Sequence, residues 1–268
     1  MIVVKVGGSL VHGGHLNGIL DDVARVARER GLVLVHGGGA LVTEVAERMG
    51  IKQQFITSPT GIRSRYTDLE TARVFTMVMA GRINKEIVAA LRSRGVDALG
   101  ISGVDGGLLI AERKKRLIVI DERGRKRAID GGYTGRIVEV RPRVLEVLLG
   151  SGFTPVVSPV ALGQEGEVLN VDADRAAAHV ASALRAEALV ILTNVAGLLD
   201  ERGELVRELT AAEARDRMSK VGPGMDKKLL AAAEALEGGV GRVLISDGRV
   251  ESPVRRALEG AGTLIRGV

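Results

Sequence analysis

The stretch Leu32-Val33-Leu34-Val35-His36-Gly37-Gly38-Gly39, set beside Ile2-Val3-Val4-Lys5-Val6-Gly7-Gly8-Ser9, decides the fold. Each begins as an apolar run, broken in the second only by Lys5, the pattern of a parallel strand buried on both faces. Each then enters glycines, and a helical pattern follows: Gly18 to about Arg30 after the first, Gly39–Met49 after the second. Further apolar runs at about Ala98–Ile101, Thr154–Ser158, Ala188–Thr193 and Arg242–Ser246 continue the alternation. Strand, helix, strand in this order places the chain in the α/β class, with a parallel sheet covered on both faces.

Working outward, Thr67 and Glu70 have the spacing of a capping box, with Thr67 as N-cap of a long apolar-periodic helix from Leu69 to about Arg92. Gly95 is its expected terminator. A helix so long has apolar surface enough either for the core or for a subunit interface. Between it and Thr154 the alternation breaks. Leu108–Glu112, Leu117–Asp121, Lys126–Ile129 and Ile137–Val140 read as short strands, with a hairpin turn at Glu122-Arg123-Gly124-Arg125. The expectation is an antiparallel excursion from the parallel sheet.

Composition narrows the chemistry. Of 268 residues 46% are hydrophobic but only 2% aromatic, so the core is built from Val, Leu, Ile and Ala, and a base-stacking nucleic-acid platform is excluded. The absence of cysteine rules out disulfides, thiolate metal sites and a thiol nucleophile. His12, His15, His36 and His179 show no metal-ligand spacing, so no protein-held metal site is expected. The first strand leaves no room for a signal peptide, and no apolar run approaches the roughly 20 residues of a membrane span. The expected location is the cytoplasm, with no membrane partner. The net charge of +5 is concentrated: Glu112 to Arg127 holds eight basic and three acidic residues, a local balance of +5.

Glycines directly after strands let backbone approach an anion, and helix-initial N–H groups complete a site for phosphate oxygens. Two such turns at the carboxyl ends of parallel strands lie where α/β sheets bind ligands. The plain alternative is two tight strand–helix turns. No G-x-x-x-x-G-K-[ST] loop, G-x-G-x-x-G motif or protein-kinase signature is present, so phosphate is handled by another scheme. Asn170-Val171-Asp172-Ala173-Asp174 precedes an Ala-rich helix, and Asp174 taken alone is compatible with an N-cap. Thr193-Asn194-Val195-Ala196-Gly197-Leu198-Leu199-Asp200 follows a buried strand. Gly222-Pro223-Gly224-Met225-Asp226-Lys227-Lys228 brings lysines to a helix start, against its dipole, a conflict that a bound anion or solvent relieves.

Taken in order, KVGGS, VHGGG, NVDAD, TNVAGLLD and GMDKK resemble the amino acid kinase family, which includes N-acetylglutamate, aspartate and carbamate kinases, over nearly the whole chain. The resemblance implies one amino acid kinase domain over residues 1–268: an open, mostly parallel sheet between helices, with an acceptor lobe to about residue 174 and an ATP lobe from about 175. It implies ATP and Mg²⁺ as cofactors. Lys5 and Lys228 would stabilise the migrating phosphoryl group, and Asp174 would orient both. Gly8, Gly38 and Gly39 would contact phosphate or acceptor, Arg63 the acceptor's α-carboxylate, and Asn170 its other polar groups. Thr193, Asn194 and Leu199 fall where the family contacts nucleotide. Phosphoryl transfer needs mainly positioning and charge neutralisation, which suits a site of lysines and glycines.

Within the family, N-acetylglutamate kinases resemble G-L-R-V-T-D where this chain has Gly61-Ile62-Arg63-Ser64-Arg65-Tyr66-Thr67-Asp68. The two-residue insertion, together with Asp130-Gly131-Gly132-Tyr133-Thr134-Gly135, resembles the branch whose substrate is α-aminoadipate or glutamate joined to a small acidic carrier protein of the LysW type. Arg65, Arg113, Lys114, Lys115, Arg116, Arg123, Arg125, Lys126 and Arg127 would then be the docking surface for that carrier, complementary charge serving encounter and orientation; the plain alternative is a solvated hairpin. Free N-acetylglutamate as acceptor, and a non-catalytic amino-acid or nucleotide sensor, are the competing functions. The resemblance also implies a homodimer through the Leu69–Arg92 helix. Aminoadipate and glutamate differ by one methylene, which the sequence does not resolve.

Overall fold

The computed structural model describes residues 1–267. The chain opens with β1 (Ile2–Val6), α1 (Gly8–His12), α2 (Leu16–Glu29), β2 (Leu32–His36) and α3 (Gly39–Arg48), as the alternation requires. A hairpin, β3 (Gln54–Thr57) and β4 (Arg63–Tyr66), precedes the long helix, which runs as α4 (Leu69–Thr76), a π turn (Met77–Ile83) and α5 (Asn84–Arg92). Next come β5 (Ala98–Gly103), β6 (Leu109–Arg113), β7 (Arg116–Ile120), β8 (Lys126–Asp130), β9 (Gly135–Val140), α6 (Arg143–Gly150), β10 (Thr154–Gly163) and β11 (Val168–Asn170). The rest is α7 (Ala173–Ala183), β12 (Ala188–Thr193), β13 (Glu208–Thr210), α8 (Ala211–Arg217), α9 (Met225–Glu237), β14 (Arg242–Asp247), α10 (Pro253–Leu258) and β15 (Thr263–Arg266).

One sheet runs β13-β15-β14-β12-β1-β2-β10, and β10 then pairs with β5 along its first half and with β6 and β11 along its second. The centre is parallel: β1 lies between β2 and β12, with Lys5 opposite Val35 on one side and Ile191 on the other. Only β14–β15, β6–β9 and β10–β11 pair antiparallel within it. Alternate residues feed two cores. Val3, Val33, Val35 and Ile191 pack toward α6, α7, α8 and α9, while Ile2, Val4, Leu34 and Leu192 pack toward α2, α3, α4, α5 and α10. The open α/β sheet between helices is therefore as expected.

Three local expectations need correction. Asp68, not Thr67, caps the long helix, its carboxylate accepting from Thr71 N at 2.8 Å. Thr67 is instead fully buried and accepts from Asn170 Nδ2, so tertiary structure overrides the local capping pattern. The long helix is not a uniform α-helix but is interrupted by the π turn, and Gly95 ends it at φ +76°. The antiparallel excursion is half the size expected: β6 and β9 belong to the main sheet, and only β7–β8 stands apart, with Gly124 at φ +73° in its turn. β6 and β9 carry the apolar residues Leu109, Ala111 and Ile137 that reach the core, whereas β8 is largely exposed and β7 buries only Val119.

Candidate active site

Lys5 points from β1 to the α7 face of the sheet, the face of Val3. There Asp172 caps α7, accepting from Asp174 N at 3.0 Å and Arg175 N at 3.1 Å. The cap is thus Asp172, and the Asp174 carboxylate is left free in the first turn. Alanines line α7 (Ala176, Ala177, Ala181) and α9 (Ala231, Ala232, Ala235), so neither helix is held off by bulk. The result is a buried cluster: Lys5 Nζ lies 2.7 Å from Asp174 Oδ1, and Lys228 Nζ, from the first turn of α9, lies 3.3 Å from Asp174 Oδ2. Burial pushes the Asp174 carboxyl upward, but Lys5 and Lys228 more than offset this and hold it below the usual carboxylate range. Burial, with Lys5 adding repulsion, lowers the Lys228 ammonium, and Asp174 opposes that shift. The lysines that oppose the α9 dipole are thus relieved by carboxylates of α7, Lys227 pairing with Asp172 at 3.6 Å.

The two glycine turns meet beside this cluster. Gly7 N donates to Leu192 O at 3.1 Å and Gly37 N to Val6 O at 2.9 Å, so each turn continues a ladder of the parallel sheet. A Cβ on Gly8 would stand 2.8 Å from Gly38 N, and one on Gly37 would stand 2.8 Å from Gly8 N. Among the described residues, neither Gly8 N–H nor Gly38 N–H has an acceptor, which leaves donors for an anion.

Behind the second turn lies His36, wholly buried, with Nδ1 3.1 Å from Gly37 O. Burial lowers its pKa from 6.5 to about 4; the Gly37 bond opposes this, and the charges of Lys5 on β1 and Lys85 on α5 add to it. The unfolded chain takes up a proton near pH 6.5 that the folded chain refuses until about 4, so the unfolded state binds more protons in that window. The neutral ring's contribution to stability is complete above pH 6.5 and falls away as pH drops, by about 3 kcal/mol in all. Urea unfolding of wild type and His36→Asn at pH 7 and 4.5 is expected to show the larger acid loss in wild type; equal losses would contradict the assignment.

A cleft of about 1020 Å³ opens from the cluster. Lys5, Gly8 and Lys228 form one end, and Thr193, Asn194 and Leu199 line it further on, so Gly8 and the three residues expected at nucleotide share one cavity with the two lysines. The sequence reading missed Lys220 and Arg217, which also line it; the signal was the basic run between Arg215 and Lys228 leading into the GMDKK stretch.

Outside the lining of this cleft, Asn170 donates to Thr67 Oγ1 at 2.9 Å and its N–H to Tyr133 O, while Tyr133 N donates to Thr67 O at 2.6 Å. The DGGYTG loop is thereby locked to the start of the long helix. Arg63 is exposed, its guanidinium 4.7 Å above the Phe55 ring. Arg65, on the same face of β4, is drawn inward: it donates to Gly39 O at 2.7 Å and Thr43 Oγ1 at 2.8 Å, and also to Gln53.

The remaining basic residues are not one uniform surface. Arg113 stacks on Tyr133 and donates to Gly132 O at 2.6 Å, Lys115 pairs with Glu165, and Arg125 with Asp121. Lys114 is half-buried, and burial, then the nearby Arg175, lowers its ammonium. Arg116, Arg123, Lys126 and Arg127 are exposed without an acidic partner among the described residues.

The chain is similar to known proteins over nearly its whole length. The model of the amino acid kinase family matches residues 1–247. A putative LysW-aminoadipate/LysW-glutamate kinase from Cenarchaeum symbiosum is 55% identical over 259 residues, 96% of either chain. A LysW-aminoadipate/LysW-glutamate kinase from Saccharolobus solfataricus is 49% identical over 266 residues, 99% of either chain. Among solved structures, N-acetylglutamate synthase from Neisseria gonorrhoeae, complexed with coenzyme A and N-acetyl-glutamate, superposes with a TM-score of 0.81 at 28% identity over 99% of this chain. This chain spans 59% of the length of that synthase.

Proposed function

The chain belongs to the amino acid kinase family, and from that membership we propose that it phosphorylates, with ATP, the side-chain carboxylate of α-aminoadipate, glutamate or both, carried on a small acidic protein of the LysW type. The observation that carries the proposal is the buried Lys5–Asp174–Lys228 cluster at the meeting of two glycine turns. In the reaction an acceptor carboxylate oxygen bonds to the γ-phosphorus while its bond to the bridging oxygen of ADP breaks, giving an acyl phosphate. The acceptor is already an anion, so no base is needed, which fits a site whose central carboxylate, Asp174, is engaged by two ammonium groups. Lys5 and Lys228 neutralise the charge spreading over the transferring group, Asp174 aims both, and Gly8, Gly38 and Gly39 supply backbone donors. Thr193, Asn194 and Leu199 hold the nucleotide, Asn170 and Arg63 the acceptor. Arg65 shapes the acceptor wall at Gly39 rather than the carrier surface.

Mg²⁺ enters as Mg·ATP, held mainly by phosphates. Among the described residues no group of three or more His, Cys, Asp or Glu side chains converges, and Asp174 is engaged by two ammonium groups. The lobe holding the acceptor runs to about residue 174, and the lobe holding ATP follows it.

The deciding experiment measures ADP release from Mg·ATP with carrier-linked aminoadipate, carrier-linked glutamate and free N-acetylglutamate. Turnover of a carrier-linked acceptor is expected, and the ratio of the first two assigns lysine biosynthesis, arginine biosynthesis or both. Turnover of free N-acetylglutamate alone would make this a small-molecule kinase, and no turnover a sensor. Carrier docking falls to Arg116, Arg123, Lys126 and Arg127, exposed cations of the hairpin without an acidic partner among the described residues. Arg123→Glu with Lys126→Glu is expected to raise KM for the carrier-linked acceptor about tenfold at low salt, with kcat unchanged and the difference shrinking as ionic strength rises. A KM shift indifferent to salt would contradict docking by charge.

We also infer a cytoplasmic homodimer. Met49, Leu69 and Met77 line one apolar groove of about 620 Å³ along the long helix, a face for a second copy to cover. Sedimentation at the mass of a single chain at micromolar concentration would contradict this. Among the described residues no helix is long and apolar enough to cross a membrane.

A further inference from the structure

We propose that His36, Asn84 and the π turn ahead of Asn84 form a positioning network that fixes the second glycine turn with the Gly38 N–H aimed at the first, where the transferring phosphate sits. The proposal rests on the phosphoryl-transfer reading above.

Five contacts define the network. His36 Nδ1 lies 3.1 Å from Gly37 O, and Asn84 Nδ2 lies 3.3 Å from His36 Nε2 and 2.9 Å from Val156 O. Lys85 Nζ donates to Asn84 Oδ1 and to Gly100 O, both at 3.0 Å. Asn84 therefore spends its oxygen on the lysine, one amide proton on Val156 O of β10, and the other on His36 Nε2, which lies closer than Ile101 O at 3.5 Å. With Nε2 receiving a proton, the neutral ring carries its own on Nδ1 and donates it to Gly37 O. In a trans peptide the C=O and the following N–H point opposite ways. Pinning Gly37 C=O toward the buried imidazole thus turns Gly38 N–H outward, to the side of Gly8.

Sterics support the same arrangement from both ends. A Cβ on Gly38 would overlap Ile83 Cδ1 at 2.1 Å and crowd Met79 Sδ at 2.9 Å, so the turn rests on the π segment itself. A Cβ on Gly100 of β5 would fall 2.0 Å from Asn84 Oδ1, so that strand is glycine where the amide needs room. The π turn inserts one residue into the helix. Without it Asn84 would be rotated by roughly 100°, one α-helical step, away from His36. That gives the interruption of an otherwise regular helix a task in the site.

Three variants at His36 separate positioning from packing. His36→Asn keeps a donor near the Nδ1 position and so still binds Gly37 O. His36→Gln places its amide near Nε2 and serves Asn84 alone, and His36→Phe serves neither. Kcat within about fivefold of wild type is expected for the Asn variant, and a loss of about 10²-fold for Gln and Phe, with ADP affinity within about twofold throughout. Wild-type kcat in the Gln or Phe variant, or equal losses in all three, would overturn the proposal. Nitrogen-15 NMR of the wild-type imidazole reads the network without turnover: a neutral ring protonated at Nδ1 is expected, and one protonated at Nε2 overturns it. Should wild type transfer no phosphate to any acceptor, the kinase reading fails while the tautomer still reports on the network.

Discussion

Asp174→Ala is expected to lower kcat by about 10³ or more and to cost about 3–5 kcal/mol of folding stability. The carboxylate sits 2.7 Å from one ammonium and 3.3 Å from the other, and all three groups are nearly inaccessible. Removing it leaves two cations facing each other without solvent to screen them, so the loss exceeds that of one ion pair. It also frees both lysines to swing apart, and charge stabilisation in transfer depends on their holding position. Asp174→Asn keeps the shape and a hydrogen-bonding oxygen but no charge, and is expected to recover part of the stability and little of the rate. Urea unfolding and ADP release measure the two effects separately. A kcat within tenfold of wild type for Asp174→Ala would remove the cluster from the transition state and leave it a structural ion pair.

The second large effect is expected from the smallest change. Gly8→Ala places a methyl 2.8 Å from Gly38 N, and 3.2 Å from both Gly38 Cα and Gly39 N. Every atom in its way is backbone, so no side-chain rotation relieves the contact and the two turns must part. A shift of about 1 Å at a donor costs about 10² in rate when geometry controls the chemistry. Overpacking costs about 1–3 kcal/mol in stability. The activity loss is therefore expected to exceed what the folded fraction explains. Gly18→Ala is the control: exposed on α2, with nothing within 4 Å of the added methyl, it is expected to be neutral or to gain up to about 1 kcal/mol. Full activity in Gly8→Ala would show that the turns do not meet as described.

Some of this site was legible along the chain and some was not. The extents of β1 and β12 were legible because a strand buried on both faces announces itself by an apolar run, broken in β1 only by Lys5. Lys5, Asp174 and Lys228 were named together only through the resemblance of ordered motifs; no periodicity links residues so far apart. Where local pattern was the only guide, neighbours won: the Thr67 hydroxyl was needed by Asn170, so Asp68 took the cap, and Asp172 rather than Asp174 capped α7. Arg65 was placed on the docking surface through the resemblance of the two-residue insertion, yet it turns inward to Gly39 while Arg63, on the same face of β4, stays outside.

The sequence by itself determined the alternation of strands and helices, the glycine turns at strand ends and the concentration of charge at Glu112–Arg127, because each is written in residues a few positions apart. Tertiary structure alone decided which carboxylate meets which lysine, which basic residues keep their charge unpaired, and that the long helix carries a π turn. It also placed Asn84 on His36, and through it the orientation of Gly37 and Gly38. These outcomes depend on how strands distant in the chain pair and on what the opposite face of the sheet has room for. The His36–Asn84 contact joins two elements through a core, and its energy exists only once that core has closed.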